Sequence, residues 1–497
     1  MNRKVEIRRL STGVPGLDAI LGGGLPEYSF NLITGPPGSG KTTLAHQMMF
    51  AMATKERPAL FFTVLGENPL KMLRYQQQFS FFDLAKVDET MRFVNLGEDV
   101  LTGEFDRVLA RIMAEVKKTS PGLVFVDSFR TMMLEPKSGS HPSINSQQFI
   151  QLLGTQLGSW QVTSFLLGEY PAEHESPPVF TVADGLLNLC QSVSRNSMVR
   201  KIQILKMRGQ ETSPGIHTFR ITSDGIEVFP SASITGDSGA TETSPSLPRD
   251  DKRLAMGVPG LDAMLGGGLP SGYSLLVAGP SGSGKTILAT AFLEEGVRRG
   301  EPGVIVAFEQ TPSQSWTRTI DTLVRSGKVG LINTRLLDLS IDEIVQKMIV
   351  TIRTMKATRV VIDSLSGFEL AVAPTFREDF RESLFRMVSV LADMGVTVLM
   401  TSELEDRYTD LRFSSYGSAF LTDAIIVQRY IEIGSRLKRV MAVVKVRGSA
   451  HSDELREYRI TGDGMVIGDP MVEFSGLLAG RPTKEGAFGA PPGQGPR

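Results

Sequence analysis

The feature that most constrains this 497-residue chain is that it says one thing twice. "GVPGLDAILGGGLP" starts at Gly13 and "GVPGLDAMLGGGLP" at Gly257. "GPPGSGKTTLAHQ" starts at Gly35 and "GPSGSGKTILATA" at Gly279, with the same spacing of 244 residues. Further along, "LVFVDS" ending at Ser128 is answered by "VVIDS" ending at Ser364, and "ILKMRG" ending at Gly209 by "VVKVRG" ending at Gly448. Landmarks in the same order with small drifts mean a duplicated domain of roughly 240 residues, far too long a period for a solenoid.

The boundaries follow from composition. Residues 1–229 and 253–475 form the two domains. Between them, residues 230–252 include "PSASITGDSGATETSPSLPRDD", a Ser/Thr/Gly/Pro stretch that predicts a flexible linker. Residues 476–497, ending "GAFGAPPGQGPR", predict a disordered Gly/Pro-rich tail.

Short apolar runs such as "FNLITG", "ALFFTVL", "GLVFVDS" and "TSFLLGE" recur as "SLLVAG", "GVIVAFE", "RVVIDS" and "TVLMTSE". Between them the apolar residues fall at helical spacing, as with Leu44, Met48 and Met52. Strands apolar on both faces, separated by helices, predict an α/β fold in which each domain is a mostly parallel sheet wrapped by helices.

Both glycine loops satisfy G-x-x-x-x-G-K-[ST] between a strand and a helix. Gly35, Gly38 and Gly40, with Ser39, and Gly279, Gly282 and Gly284, with Ser283, let the backbone turn its N–H groups toward phosphate oxygens. Lys41 and Lys285 reach the β- and γ-phosphates and assist catalysis. Thr42 and Thr286 place hydroxyls on Mg²⁺, and Thr43 and Ile287 complete the loops at the helix N-termini. A second magnesium ligand is expected at another strand end, where Asp127 and Asp363 stand. The bland alternative for each aspartate is a turn or cap; its recurrence in both halves favours the metal role. Lys206 with Arg208, and Lys445 with Arg447, sit two apart on late strands, so each pair faces one side. Paired cations suit a triphosphate. Their distance in sequence from their own loops suggests service to a neighbouring subunit, against the alternative of a solvated strand face.

Global numbers exclude other classes. Fifty-three basic residues against 54 acidic ones argue against a protein that coats nucleic acid or an anionic membrane. One cysteine, Cys190, forms no intramolecular disulfide and fits a reducing cytoplasm. Five scattered histidines offer no zinc spacing. The charged start "MNRKVEIRRL" is no secretory signal, and no apolar run approaches a membrane span.

Taken together, "STGVPGLDAILGGGLP", both Walker-A loops, the "VDS" and "IDS" strand ends, and "LKMRG" with "VKVRG" resemble KaiC, the double-domain RecA-like ATPase family of circadian clocks. The resemblance spans the chain except the linker and tail. It implies tandem RecA-like P-loop domains and nucleotide-dependent homohexameric rings. It implies ATP and Mg²⁺ at subunit interfaces, with Lys206, Arg208, Lys445 and Arg447 acting in trans. It also implies serine/threonine autokinase activity in some members and a KaiB-like or other signalling partner. The family carries two adjacent glutamates after the strand that follows the Walker-A helix. Here "AFEQTP" keeps Glu309 but has Gln310, and "TVLGENP" offers only Glu67, displaced by one residue. Glu309 and Glu67 are the candidate catalytic carboxylates, with the second half the better equipped. At the family's phosphate-accepting position, counted back from Thr422–Asp423, stand Ala419 and Phe420, which have no hydroxyl. Ser418 is the nearest substitute, with Ser414, Ser415 and Thr422 behind it, so little autophosphorylation is expected. A DNA-handling RecA-like motor and a nucleotide-gated scaffold with little hydrolysis stay open as alternatives.

Overall fold

The computed structural model describes residues 7–63, 69–101, 105–127, 146–169, 179–194, 197–231, 252–308, 318–333, 340–372, 376, 380–404, 421–472, 474–475 and 483–484. The chain divides into two compact units, Met1–Ser231 and Ala232–Arg497.

In the first unit the strands of the main sheet are β1 (Phe30–Thr34), β2 (Ala59–Thr63), β3 (Met91–Asn95), β4 (Leu123–Asp127), β5 (Thr163–Gly168), β6 (Gly185–Ser194), β7 (Ser197–Met207), β8 (Ile216–Thr222) and β9 (Gly225–Phe229). They form one sheet in the order β3-β2-β4-β5-β1-β6-β7-β8-β9. The pairings from β3 to β6 are parallel, and those from β6 to β9 antiparallel. Helix α1 (Lys41–Met52) packs on one face, where Leu44, Met48, Phe61, Phe125 and Phe165 share a core. Helices α2 (Phe105–Thr119) and α3 (Ser146–Ser159) cover the other, with Ile112, Phe149, Leu153, Phe62 and Leu166. Neighbouring Phe61 and Phe62 point into opposite cores, as a two-sided strand requires.

The second unit repeats this with β10 (Ser274–Gly279), α4 (Lys285–Arg298), β11 (Gly303–Ala307), β12 (Val329–Asn333), α5 (Ile341–Met355), β13 (Arg359–Asp363), α6 (Phe380–Asp393), β14 (Thr397–Glu403), β15 (Ala424–Ile433), β16 (Arg436–Val446), β17 (Arg456–Thr461) and β18 (Gly464–Pro470). Its order, β12-β11-β13-β14-β10-β15-β16-β17-β18, is the first sheet's order strand for strand. Each unit is therefore a RecA-like α/β domain. What apolar runs alone did not disclose is the antiparallel wing of four strands on one side of each sheet.

The repeated "GVPGLDA" segment is structural. Asp18 accepts hydrogen bonds from the Thr12 backbone and hydroxyl (2.9 and 2.6 Å), and Asp262 accepts from the Met256 N–H. Gly24 has φ 118, and a Cβ there would lie 2.5 Å from the Leu10 carbonyl oxygen, so the turn admits only glycine. Beyond β18, Thr483–Lys484, in the segment expected to be tail, pairs with Phe474–Ser475 at the end of the expected second domain. No helix among the described residues is long and apolar enough to cross a membrane.

Candidate functional site

Both glycine loops sit where parallel α/β sheets bind ligands, at the carboxyl end of the central strand. Gly38 and Gly40 have φ of 72 and 101, Gly282 and Gly284 of 73 and 99. These left-handed turns curl the loop and deliver the chain into α1 and α4 at Lys41 and Lys285. Gly40 cannot be replaced for a second reason: a Cβ would meet Ile221 at 2.9 Å, and Ile460 stands likewise at 2.8 Å from one on Gly284.

Lys41 Nζ donates to the carbonyls of Gly35 and Pro36, both at 2.9 Å. Lys285 Nζ does the same to Gly279 and Pro280 at 2.8 Å. Burial pulls both ammonium groups below the ordinary lysine value. Glu169 and Asp127 oppose that pull on Lys41, as Glu403 and Asp363 do on Lys285. A buried ammonium held on its own loop's carbonyls is a cation waiting for an anion.

Thr42 Oγ1 donates to Asp127 Oδ2 at 2.7 Å, and Thr286 Oγ1 to Asp363 Oδ2 at 2.9 Å. A hydroxyl and a carboxylate this close are hard oxygen donors of the kind Mg²⁺ takes, leaving its other positions to water and phosphate. In the first unit a cavity of about 370 Å³ is lined by Gly38, Lys41, Thr42, Thr43, Asp127 and Glu169, among others. Ser39 and Ser283 are fully buried beneath the loops. Ser283 Oγ donates to Gln428 Oε1 at 2.9 Å, and Tyr458 Oη donates to the Ser283 carbonyl at 2.6 Å. The equivalent first-unit positions are Leu189 and Phe219, so only the second loop has these two ties. Ile287 is half-buried in the first turn of α4.

Glu169 and Glu403 were not singled out from the sequence. The signal was present: both end the runs "TSFLLGE" and "TVLMTSE" on the strand beside the Walker strand.

The Lys-x-Arg pairs lie at the other end of the sheet. Lys206 pairs with Leu186 and Lys445 with Ile425, near the starts of β6 and β15. Asp184, just before β6, accepts a hydrogen bond from the Phe30 N–H at the start of β1. Its loop is a five-residue strand away, about 16 Å. Lys206 Nζ donates to the Phe180 and Thr181 carbonyls (3.1 and 3.2 Å), and Arg208 reaches the Thr181 carbonyl (3.2 Å) and Asp184 (3.1 Å). In the second unit Lys445 donates to the Thr422 carbonyl at 2.6 Å and Arg447 pairs with Asp423 at 3.5 Å. Burial, then the neighbouring arginine, lowers the affinity of Lys206 and Lys445 for their protons, while Asp184 and Asp423 oppose this. Both pairs owe their facing to a bulge. Leu186 and Leu187 oppose Lys206 and Ile204, leaving Leu205 over; Ile425 and Ile426 oppose Lys445 and Val443, leaving Val444 over.

Glu67 and Glu309, with Gln310, lie outside the described residues, as do Ser414, Ser415, Ser418, Ala419 and Phe420. Thr422 is fully buried.

The family model "ATPase: KaiC" matches residues 10–233 and again 254–471. The chain belongs to the KaiC family of ATPases. Among KaiC relatives, the circadian clock oscillator protein KaiC of Picosynechococcus sp. is 29% identical over 96% of this chain and 93% of its own. The circadian clock protein KaiC3 of Synechocystis sp. is 28% identical over 96% of this chain and 95% of its own. This KaiC-family chain thus matches its relatives across both repeats, not through the Walker loops alone.

Proposed function

We propose that this chain binds Mg²⁺–ATP at both Walker loops, hydrolyses it, and assembles as a nucleotide-bridged homohexameric ring. The observation that carries the reading is the separation of two cation sets in each unit. Lys41 and the Thr42–Asp127 pair stand at one end of the sheet, and Lys206 with Arg208 at the other. A Lys-x-Arg pair about 16 Å from its own loop serves a phosphate held by another copy. Bound Mg²⁺ would be held by Thr42 and Asp127, and by Thr286 and Asp363, and would neutralise phosphate charge. Lys41 and Lys285 would bind the phosphates on the backbone cradle of Gly35–Thr43 and Gly279–Ile287.

Glu309 and Glu67 are our candidates for positioning the attacking water, with Glu309→Gln costing more hydrolysis than Glu67→Gln. Self-phosphorylation is expected to be weak, since Ala419 and Phe420 offer no acceptor. Output would pass through ATPase activity and ring state to a KaiB-like or other signalling partner in the cytoplasm, in a timing or signalling role like that named for the relatives. Residues 230–252 would act as linker. The test is steady-state ATP hydrolysis by wild type, Lys41→Ala and Lys285→Ala, with particle size measured with and without ATP. Each variant should lose one site's turnover and the double variant all of it. A hydrolysis rate untouched by either substitution refutes the reading.

A further inference from the structure

We propose that Glu169 and Glu403 read the γ-phosphate, each setting how strongly its site prefers a triphosphate to a diphosphate. The inference rests on nucleotide binding at the Walker loops.

The sheet order places β5 directly between β4, which ends in Asp127, and β1, which feeds the loop. Gly168 pairs with Thr34, so Glu169 emerges one strand spacing, about 4.8 Å, from the chain entering the loop. In the second unit Glu403 pairs with Gly279 itself, and the following Leu404 N–H donates to the Gly279 carbonyl at 3.1 Å. The same strand end is tied to the metal pair: Thr401 Oγ1 donates to Asp363 Oδ1 at 2.5 Å. Glu169 lines the first-unit cavity, whose ionisable lining groups among the described residues are Lys41, Asp127 and Glu169. Lys41 is the phosphate-facing cation and Asp127 is hydrogen-bonded to Thr42. Glu169 is the second carboxylate of that lining.

Two anions then compete for one ammonium. Without a γ-phosphate, Glu169 supplies the strongest counter-charge to Lys41, and Glu403 to Lys285, ahead of Asp127 and Asp363. A γ-phosphate entering between lysine and carboxylate takes over the ammonium and meets the carboxylate's negative charge. The β-phosphate sits farther from the strand end and feels less of it. The carboxylate therefore weakens triphosphate binding more than diphosphate binding. It thereby keeps the bound triphosphate from being over-stabilised before hydrolysis.

The experiment measures binding of Mg²⁺–ADP and of the Mg²⁺ complex of a non-hydrolysable β,γ-imido ATP analogue to the full chain by calorimetry. Glu169→Gln is made in a Lys285→Ala background, and Glu403→Gln in a Lys41→Ala background, so that one site is read at a time. Each glutamine should tighten the triphosphate about 10-fold and ADP less than about 2-fold, as expected for one charge removed several ångströms away. Glu169→Asp and Glu403→Asp, which keep the charge, should restore most of the wild-type ratio. An equal change for both nucleotides, or a weaker triphosphate, overturns this inference alone. Failure of wild type to bind either nucleotide overturns the Walker-loop reading and this inference with it.

Discussion

Arg208 Nη1 lies 3.1 Å from Asp184 Oδ1, and the same aspartate, through Oδ2, takes the N–H of Phe30, where the Walker strand begins. The second unit repeats the arrangement with Arg447, Asp423 and Ser274. Each arginine is thus parked on an aspartate anchored to the start of its own central strand. Both guanidinium groups are exposed, as the proposed role toward another copy's phosphate requires.

Arg208→Ala with Arg447→Ala should raise the ATP concentration needed for assembly by about 10- to 100-fold, the worth of a charge-assisted hydrogen bond. Light scattering across an ATP titration gives the answer. A six-chain particle that persists unchanged in the double variant at low ATP would contradict a role across subunits.

The Thr42–Asp127 and Thr286–Asp363 pairs predict a magnesium phenotype. Asp127→Asn or Asp363→Asn removes a charged oxygen donor, so the affected site should need more Mg²⁺ and turn over at least about 10-fold more slowly. Hydrolysis measured against Mg²⁺, with the other loop silenced by its lysine substitution, isolates each site. A turnover curve superimposable on wild type would remove these aspartates from the metal.

His46, on α1 beneath the first loop, predicts acid sensitivity in the first unit. Its ring is fully buried, stacks on Phe61 at 4.5 Å between centroids, and has no hydrogen-bond partner among the described residues. Burial pushes its pKa down to about 3 from the usual 6.5. The unfolded chain therefore binds a proton that the folded one refuses. The stability from a neutral His46 is whole above about pH 6.5 and falls by about 1.4 kcal/mol per unit as the pH drops toward 3. Urea unfolding at pH 7 and pH 5 should show the loss, and His46→Phe should flatten it. An equal slope in both proteins would point to other groups.

Arg359 predicts an asymmetry in the opposite direction. It is wholly buried at the start of β13, donating to Glu301 (2.9 and 2.7 Å) and to the Ala255 and Phe292 carbonyls (both 2.8 Å). The equivalent residue of β4 is Leu123. Arg359→Met should cost the second unit about 3–5 kcal/mol, because Glu301 and two carbonyls lose their donor. Adding Glu301→Gln should recover part of it. Denaturant unfolding of both variants decides; a neutral Arg359→Met would mean water replaces the guanidinium.

The duplication, the central parallel strands and the Walker residues were legible because they depend on local chemistry: glycine conformation, apolar runs and a strand-end aspartate. Glu169 and Glu403 were not, because their meaning comes from lateral order. They are 128 and 118 residues from Lys41 and Lys285 in sequence, yet one strand over in the sheet. Arg359 opens "RVVIDS" and reads as an ordinary polar strand start; only the fold shows it enclosed. The antiparallel wings were hidden for a related reason, since periodicity reports which faces are covered and not which way a neighbour runs.

The spare residue in β7 has a consequence for evolution. Ile202 and Ile204 belong to the α1-side core, and strict alternation would send Lys206 there too. Leu205 resets the phase, so Lys206 stands opposite Leu186 of the other core's side, and its ammonium emerges at Phe180 and Thr181. Val444 does the same for Lys445. Deleting Leu205 would bring Lys206 directly after Ile204, where alternation keeps it opposite Leu186 and on the face it already holds. A one-codon deletion at this point therefore removes only the unpaired leucine and spares the facing of the cation, whereas a substitution that drew Leu205 into strict alternation would turn Lys206 toward the α1-side core.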